Sequence, residues 1–210
     1  MEKLLLSEIA HCLNAECPEE KVITEISTDT RNLPAGCLFI AIKGERFDGH
    51  AFIKQAIENG AAAAVSEYPV DGCPCIVVKN TRTALLKLAK YYRSKFNPVL
   101  VGITGSVGKT TTKEMIALVL SEKYKTLKTQ GNLNNEIGLP KTLFNLDSSY
   151  QAAVIEMGMS DFGEIERLSN TAVPTIGVIT NIGFSHIENL KSQEGILKAK
   201  LEILSGMKSD

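Results

Sequence analysis

Residues Gly102-Ile103-Thr104-Gly105-Ser106-Val107-Gly108-Lys109-Thr110-Thr111-Thr112 constrain this chain more than any other stretch. An apolar run at 99–103 leads into them, and Met115, Ile116, Val119 and Leu120 follow at helical spacing. A buried strand that breaks at glycines and restarts as an amphipathic helix, predicted here over 109–122, is the context a phosphate-binding loop requires. Glycines let backbone amides turn inward on an anion, and the helix N-terminus adds positive potential. Lys109 then reaches the β- and γ-phosphates of a nucleotide, and the Thr110 hydroxyl is placed to ligate magnesium. The strict pattern G-x-x-x-x-G-K-[ST] would put its first glycine at Ile103, whereas glycines stand at 102 and 105. The compact core Gly105-x-x-Gly108-Lys109-Thr110 is intact. A glycine-rich turn before an ordinary helix is the competing reading, and it leaves the Lys-Thr pair unexplained.

The pattern continues around this loop. Strands are predicted at 151–157 and 175–180 and a helix at 161–169, with a last helix from about Ser192. Strands alternating with helices predict a doubly wound, mostly parallel sheet. Before it, a different pattern runs: a helix over 2–13, strands at 22–26 and 37–42, a helix over 51–59 closed by Gly60, and strands at 61–65 and 75–78. That half reads as a small mixed α/β unit. Leu85, Leu86, Leu88, Ala89 and Tyr92 line a helix between the two, ended by Asn97-Pro98. The expected partition is therefore 1–82, a connecting helix 83–97, and 98–210.

Charge excludes several classes. Lys and Arg number 23 and Asp and Glu 24, so no basic excess points to nucleic acid. No run approaches the roughly 20 apolar residues of a membrane span, and the start is too briefly apolar for a signal peptide. The reading is a cytoplasmic enzyme with no membrane partner. Five cysteines (Cys12, Cys17, Cys37, Cys73 and Cys75) form no CxxC pair and read as reduced thiols.

Taken together, these segments resemble the Mur ligases, ATP-dependent amide-forming enzymes. The loop Thr104-Gly105-Ser106-Val107-Gly108-Lys109-Thr110-Thr111 has the family's form. Gly131-Asn132-Leu133-Asn134-Asn135-Glu136-Ile137-Gly138-Leu139-Pro140 and Glu156-Met157-Gly158-Met159 resemble the branch that adds D-alanyl-D-alanine. Thr180-Asn181-Ile182-Gly183-x-x-His186 and Lys198-Ala199-Lys200 resemble the family's second metal region. Ser27-Thr28-Asp29-Thr30-Arg31 and Lys43-Gly44-x-x-x-Asp48-Gly49-His50 resemble its UDP-binding part.

The resemblance covers the whole chain in order. It implies a UDP-binding domain over 1–82, followed by an incomplete P-loop ATPase domain over 98–210. A further C-terminal domain is the missing partner, and alone the chain is expected to be inactive. Whether it is a fragment or a natural truncation stays open. The implied substrates are UDP-N-acetylmuramoyl-tripeptide and D-alanyl-D-alanine, the cofactors ATP and Mg2+, and the intermediate an acyl phosphate. A tripeptide-forming Mur ligase and a truncated, non-catalytic nucleotide-binding module are the alternatives. Folylpolyglutamate synthase is disfavoured because it lacks a comparable UDP domain.

Site residues follow from the same resemblance. Lys109, Glu156, His186 and Lys200 are the expected catalytic residues, with Thr110, Glu156, His186 and Lys200 holding metal. Thr104, Gly105, Ser106, Val107, Gly108, Lys109, Thr110, Thr111 and Asn181 would bind the nucleotide. Ser27, Thr28, Asp29, Arg31, Lys43, Gly44, Asn132, Asn134 and Asn135 would bind substrate. Each has a plainer reading. Glu156 is a strand-end carboxylate of the kind magnesium prefers, but it can equally be solvated. His186 can be a surface residue, and Asp29–Arg31 a surface ion pair. The asparagines can be ordinary loop residues. Ile196, Leu197, Leu201 and Leu204 are expected to form the last helix's buried stripe, with Lys200 either a carbamylated ligand or a snorkelling stem beside it. Near the end of the chain, Lys200 is expected to be unmodified and mobile.

Overall fold

The computed structural model describes residues 1–44 and 47–207. Glu45 and Arg46, inside the candidate UDP turn, and residues 208–210, at the end of the expected ATP-binding segment, lie outside that range. The chain divides into two compact units, Met1–Tyr91 and Tyr92–Asp210. The division falls inside the segment expected to connect two domains.

In the first unit, β1 (Leu4–Leu5) pairs antiparallel with β2 (Val22–Ile23), and α1 (Leu6–Leu13) starts directly after β1. The predicted helix from residue 2 thus loses its first turn to a strand pair. The predicted strand 22–26 splits into β2 and β3 (Ile26–Ser27). A four-stranded parallel sheet runs β3, β4 (Leu38–Ile40), β5 (Ala63–Ser66), β6 (Cys75–Val77). Between β4 and β5, a 3-10 turn Gly49–Phe52 leads into α2 (Ile53–Glu58). Asp48 caps that turn by accepting from the His50 N–H at 3.0 Å, so the helical segment begins earlier than predicted. Gly60 follows α2 with φ +100°, where a left-handed residue is favoured. Cys37, Phe39, Ala41, Ile53, Ala56, Ala61 and Ala64 form a buried core between sheet and helix. Helix α3 (Thr81–Ser94) runs across the division.

The second unit holds a parallel sheet in the order β10-β7-β9-β8. Its elements in sequence are β7 (Val99–Thr104), α4 (Lys109–Ser121), β8 (Thr126–Lys128), α5 (Gly138–Leu143), β9 (Ala152–Glu156), α6 (Glu164–Ala172) and β10 (Ile176–Ile179). Next come α7 (Ile187–Leu190), α8 (Gln193–Leu201) and a 3-10 turn Glu202–Gly206. The fully buried β9 and the nearly buried β7 are the apolar runs expected of strands covered on both faces. Two elements escaped the sequence pattern. Strand β8 is only Thr-Leu-Lys, and α5 carries Pro140, tolerated in a first turn whose N–H groups lack intrahelical partners.

Two predicted apolar faces are corrected. On α4, Met115 and Val119 are exposed, whereas Ile116 and Leu120 pack against Val101, Ile103, Ala117 and Val154. On α8, Leu197 and Leu201 are exposed and Leu204 beyond it is too; the buried positions are Ile196, Ala199, Lys200 and Ile203. Those four keep the i, i+3, i+4, i+7 spacing of one helix face, with Lys200 inside it. Lys200 is 1% exposed, packed into this face rather than standing free near the chain end. Among the described residues no helix is long and apolar enough to cross a membrane.

Candidate nucleotide site

The carboxyl ends of β7, β9 and β10 carry the candidate residues, as a parallel sheet with crossover connections dictates. After β7 the backbone turns through Gly105 (φ +148°) and Gly108 (φ +80°), and α4 starts at Lys109. The segment after β10 braces this loop. Thr180 Oγ1 and Asn181 Nδ2 both donate to the Val107 carbonyl, at 2.7 and 3.1 Å. The Val107 N–H donates to Asn181 Oδ1 at 3.2 Å, and the Ser106 N–H to the Asn181 carbonyl at 3.2 Å. Ser106 Oγ accepts from the Gly183 N–H at 2.9 Å. Asn181 therefore shapes the loop backbone, and Thr180 and Gly183 join it, a role the sequence reading missed. The Thr104 side chain is fully buried, and its carbonyl accepts from the Thr180 N–H at 3.0 Å.

Lys109 Nζ donates to the Gly105 carbonyl at 2.8 Å, which holds its ammonium against the loop. Lys200 is buried near it. Desolvation, and then repulsion by Lys109, lower the Lys200 pKa to about 8.

Glu156 is 2% exposed at the end of β9. Thr110 Oγ1 donates to its Oε2 at 3.0 Å, and Asn134 Nδ2 to its Oε1 at 3.0 Å. The structure thus joins three residues that lie far apart in sequence: the loop threonine, one asparagine of the 131–140 segment and the strand-end carboxylate. Asn135 acts locally, because its Oδ1 accepts from the Ile137 and Gly138 N–H groups at 3.1 and 2.8 Å at the start of α5. Asn132 is exposed, and its carbonyl accepts from the Asn134 N–H at 2.8 Å.

A hydroxyl and a carboxylate are hard oxygen donors that suit magnesium, which keeps several waters and is completed by substrate phosphates. Thr110 and Glu156 fit that ion. His186 is an exposed residue with φ +58° preceding α7. Among the described residues no group of three or more His, Cys, Asp or Glu side chains is placed to hold a metal ion.

In the first unit, Ser27 Oγ donates to the Asp29 carbonyl at 2.9 Å, next to Thr28 in the same turn. Arg31 grips Asp29 with Nε at 2.9 Å and Nη2 at 2.5 Å. The backbones of Lys43 and Asp48 form an isolated antiparallel β-bridge, and the Gly44 N–H donates to the Phe47 carbonyl at 2.9 Å. This turn is anchored by His50, whose side chain is almost wholly buried. Its Nε2 accepts from the Glu67 N–H at 3.0 Å, so its proton sits on Nδ1, facing Asp48 Oδ1 at 2.5 Å. His50 also stacks on Tyr68, with ring centroids 4.9 Å apart.

Known proteins share this layout. Residues 103–210 match the Mur ligase middle domain, and residues 22–93 match the segment described as Mur ligase family, catalytic domain. A UDP-N-acetylmuramoyl-tripeptide--D-alanyl-D-alanine ligase of Bacillus subtilis (strain 168) is 50% identical over 196 residues, covering 91% of this chain and 43% of its own length. Its namesake in Escherichia coli (strain K12) is 43% identical over 209 residues, covering 99% and 46%. The crystal structure of MurF from Acinetobacter baumannii superposes with a TM-score of 0.94 at 36% identity, over 99% of this chain and 47% of that one. MurF ligase from Thermotoga maritima, solved in complex with ADP, gives 0.83 at 37% identity, over 89% and 44%. The chain spans less than half the length of these relatives. With more than half of its residues matching the middle-domain family, this chain belongs to the Mur ligases.

Proposed function

We propose that this chain is the substrate- and ATP-binding part of a ligase that joins D-alanyl-D-alanine to UDP-N-acetylmuramoyl-tripeptide. The observation that carries this reading is the buried Glu156 carboxylate, held between Thr110 of the phosphate loop and Asn134. The namesakes named above support the choice of substrates. Residues 1–82 take the UDP part through Ser27, Thr28, Asp29, Arg31, Lys43 and Gly44. The segment 98–210 takes ATP through Thr104 to Thr111 and Asn181, with 83–97 connecting them and a C-terminal domain completing the site.

In the first step the terminal carboxylate of the tripeptide attacks the γ-phosphorus of ATP, and ADP leaves. The amino group of D-alanyl-D-alanine then attacks the acyl carbon, phosphate leaves, and the nitrogen loses a proton. Two anions must meet in the first step, so neutralising charge is the main demand. Lys109 supplies it from the loop, and the amides at the start of α4 face the phosphates. Magnesium, held by Thr110 and Glu156, would add further positive charge at the phosphates. Asn132 and Asn134 contact the muramoyl-peptide, and Asn135 shapes their loop. His186 and Lys200 would hold a second metal once Lys200 is carbamylated. Its lowered pKa supplies the uncharged amine that reaction needs, adding CO2 and releasing one proton.

The test is reconstitution with a separately produced C-terminal half, assayed for amide formation from UDP-N-acetylmuramoyl-tripeptide, D-alanyl-D-alanine and ATP. ADP release coupled to pentapeptide formation is expected. Turnover only with the dipeptide precursor and a single amino acid would move the chain to the tripeptide-forming branch. ADP binding without any turnover, by folded halves, would leave a nucleotide-binding module.

A further inference from the structure

Lys113 is a buried lysine that the nucleotide reading does not use. Its side chain is 1% exposed on α4, three residues after Thr110 and therefore on the same helix face. Burying an ammonium costs free energy, and a methionine would fill similar space without that cost. Packing alone therefore does not explain a lysine here; its donor contacts do.

Lys113 Nζ donates to the Thr129 carbonyl at 2.8 Å and pairs with Glu114 Oε1 at 3.0 Å. Glu114 also pairs with Lys128 on β8. Thr129 is fully buried and pinned at three atoms. Its N–H donates to the Val154 carbonyl at 3.0 Å, its carbonyl accepts from Lys113, and its Oγ1 accepts from the Glu156 N–H at 2.9 Å. Glu156 in turn accepts from Thr110. The contacts close a ring from Lys113 through Thr129 and Glu156 to Thr110, and back along one turn of α4.

We infer that Lys113 and Thr129 are positioning residues that fix the Glu156 carboxylate against Thr110, and so set the affinity of this site for magnesium bound with nucleotide. The inference rests on the proposed roles of Thr110 and Glu156. Neither Lys113 nor Thr129 needs to touch nucleotide or metal. Lys113 sets the distance from α4 to the Thr129 backbone, and the Thr129 hydroxyl sets the backbone at which the Glu156 side chain starts. Groups behind a metal ligand commonly change metal affinity by about 10- to 100-fold when removed.

The experiment is calorimetric titration of ADP into the 210-residue chain, with and without magnesium. The quantity read is the ratio of the two affinities. Lys113→Met and Thr129→Val are expected to lower that ratio by about tenfold or more. Thr129→Ser keeps the hydroxyl and is expected to restore the wild-type ratio. Circular dichroism melts identify any variant that fails to fold, and Thr129→Val carries the test if Lys113→Met does. A wild-type chain whose ADP binding ignores magnesium would overturn the reading of Thr110 and Glu156 itself. Magnesium-dependent binding in wild type with unchanged ratios in folded Lys113→Met and Thr129→Val would overturn the positioning role alone.

Discussion

Gly105 and Thr180 approach so closely that a Cβ on Gly105 would overlap Thr180 Oγ1. The same hydroxyl donates to the Val107 carbonyl, so it cannot move away without releasing the loop. Gly105 also holds φ +148°, which residues with side chains rarely adopt. Gly105→Ala is expected to cost several kcal/mol, on the order of other strained or overpacked sites, and to abolish ADP binding. Thermal melts and ADP titration of the 210-residue chain check this; wild-type values in both would sink the idea.

Lys109→Ala removes a charge aimed at phosphates while leaving the helix start intact. In the reconstituted ligase the rate is expected to fall by several orders of magnitude, with the melting temperature little changed. Near-normal turnover by the folded variant would show that Lys109 only braces the loop.

The UDP reading is separable from the nucleotide reading. Arg31→Ala and Asp29→Ala are expected to weaken binding of UDP-N-acetylmuramoyl-tripeptide by roughly tenfold, the size of a lost charge-assisted contact, while ADP affinity stays as in wild type. Equal peptide affinity for wild type and both variants would return Asp29–Arg31 to an ordinary surface ion pair.

Lys200 makes stability depend on pH in a direction that can be worked out. Unfolded, it keeps its proton until about 10.5; folded, it loses it near 8. Between those values the unfolded chain binds more protons, so stability rises with pH, and below 8 this contribution is flat. Denaturant midpoints from about pH 7 to 10 should rise more for wild type than for Lys200→Met. Parallel curves would contradict the burial cost. In the complete ligase, bicarbonate is expected to raise activity and acetate to rescue Lys200→Ala in part. Failure of both would make Lys200 a buried structural lysine.

The phosphate loop was legible because its determinants are local. An apolar strand, glycines at the two positive-φ positions and a Lys-Thr pair opening a helix are contiguous in sequence. The alternation of strand and helix was legible for the same reason, and so were Gly60 after α2 and Ser192 at the start of α8, whose Oγ accepts from the Gly195 N–H at 3.1 Å. Strand β8 stayed hidden because three residues of mixed polarity carry no period; its partner, β9, lies more than twenty residues away.

Tertiary structure decided which faces are buried and which distant residues meet. Hydropathy alone favoured Leu197 and Leu201 over Lys200, but helix α8 docks through Ile196, Ala199 and Lys200. The same applies to Met115 and Val119, apolar yet exposed. Glu156 lies 46 residues from Thr110, Asn181 lies 74 from Val107, and Thr129 lies 16 from Lys113. Only parallel pairing of β9 and β10 with β7 brings their carboxyl ends to one edge of the sheet. Residue type and local spacing specify backbone turns and helix starts. The sheet's register, set by burial of whole strands, specifies the distances between side chains on which binding chemistry depends.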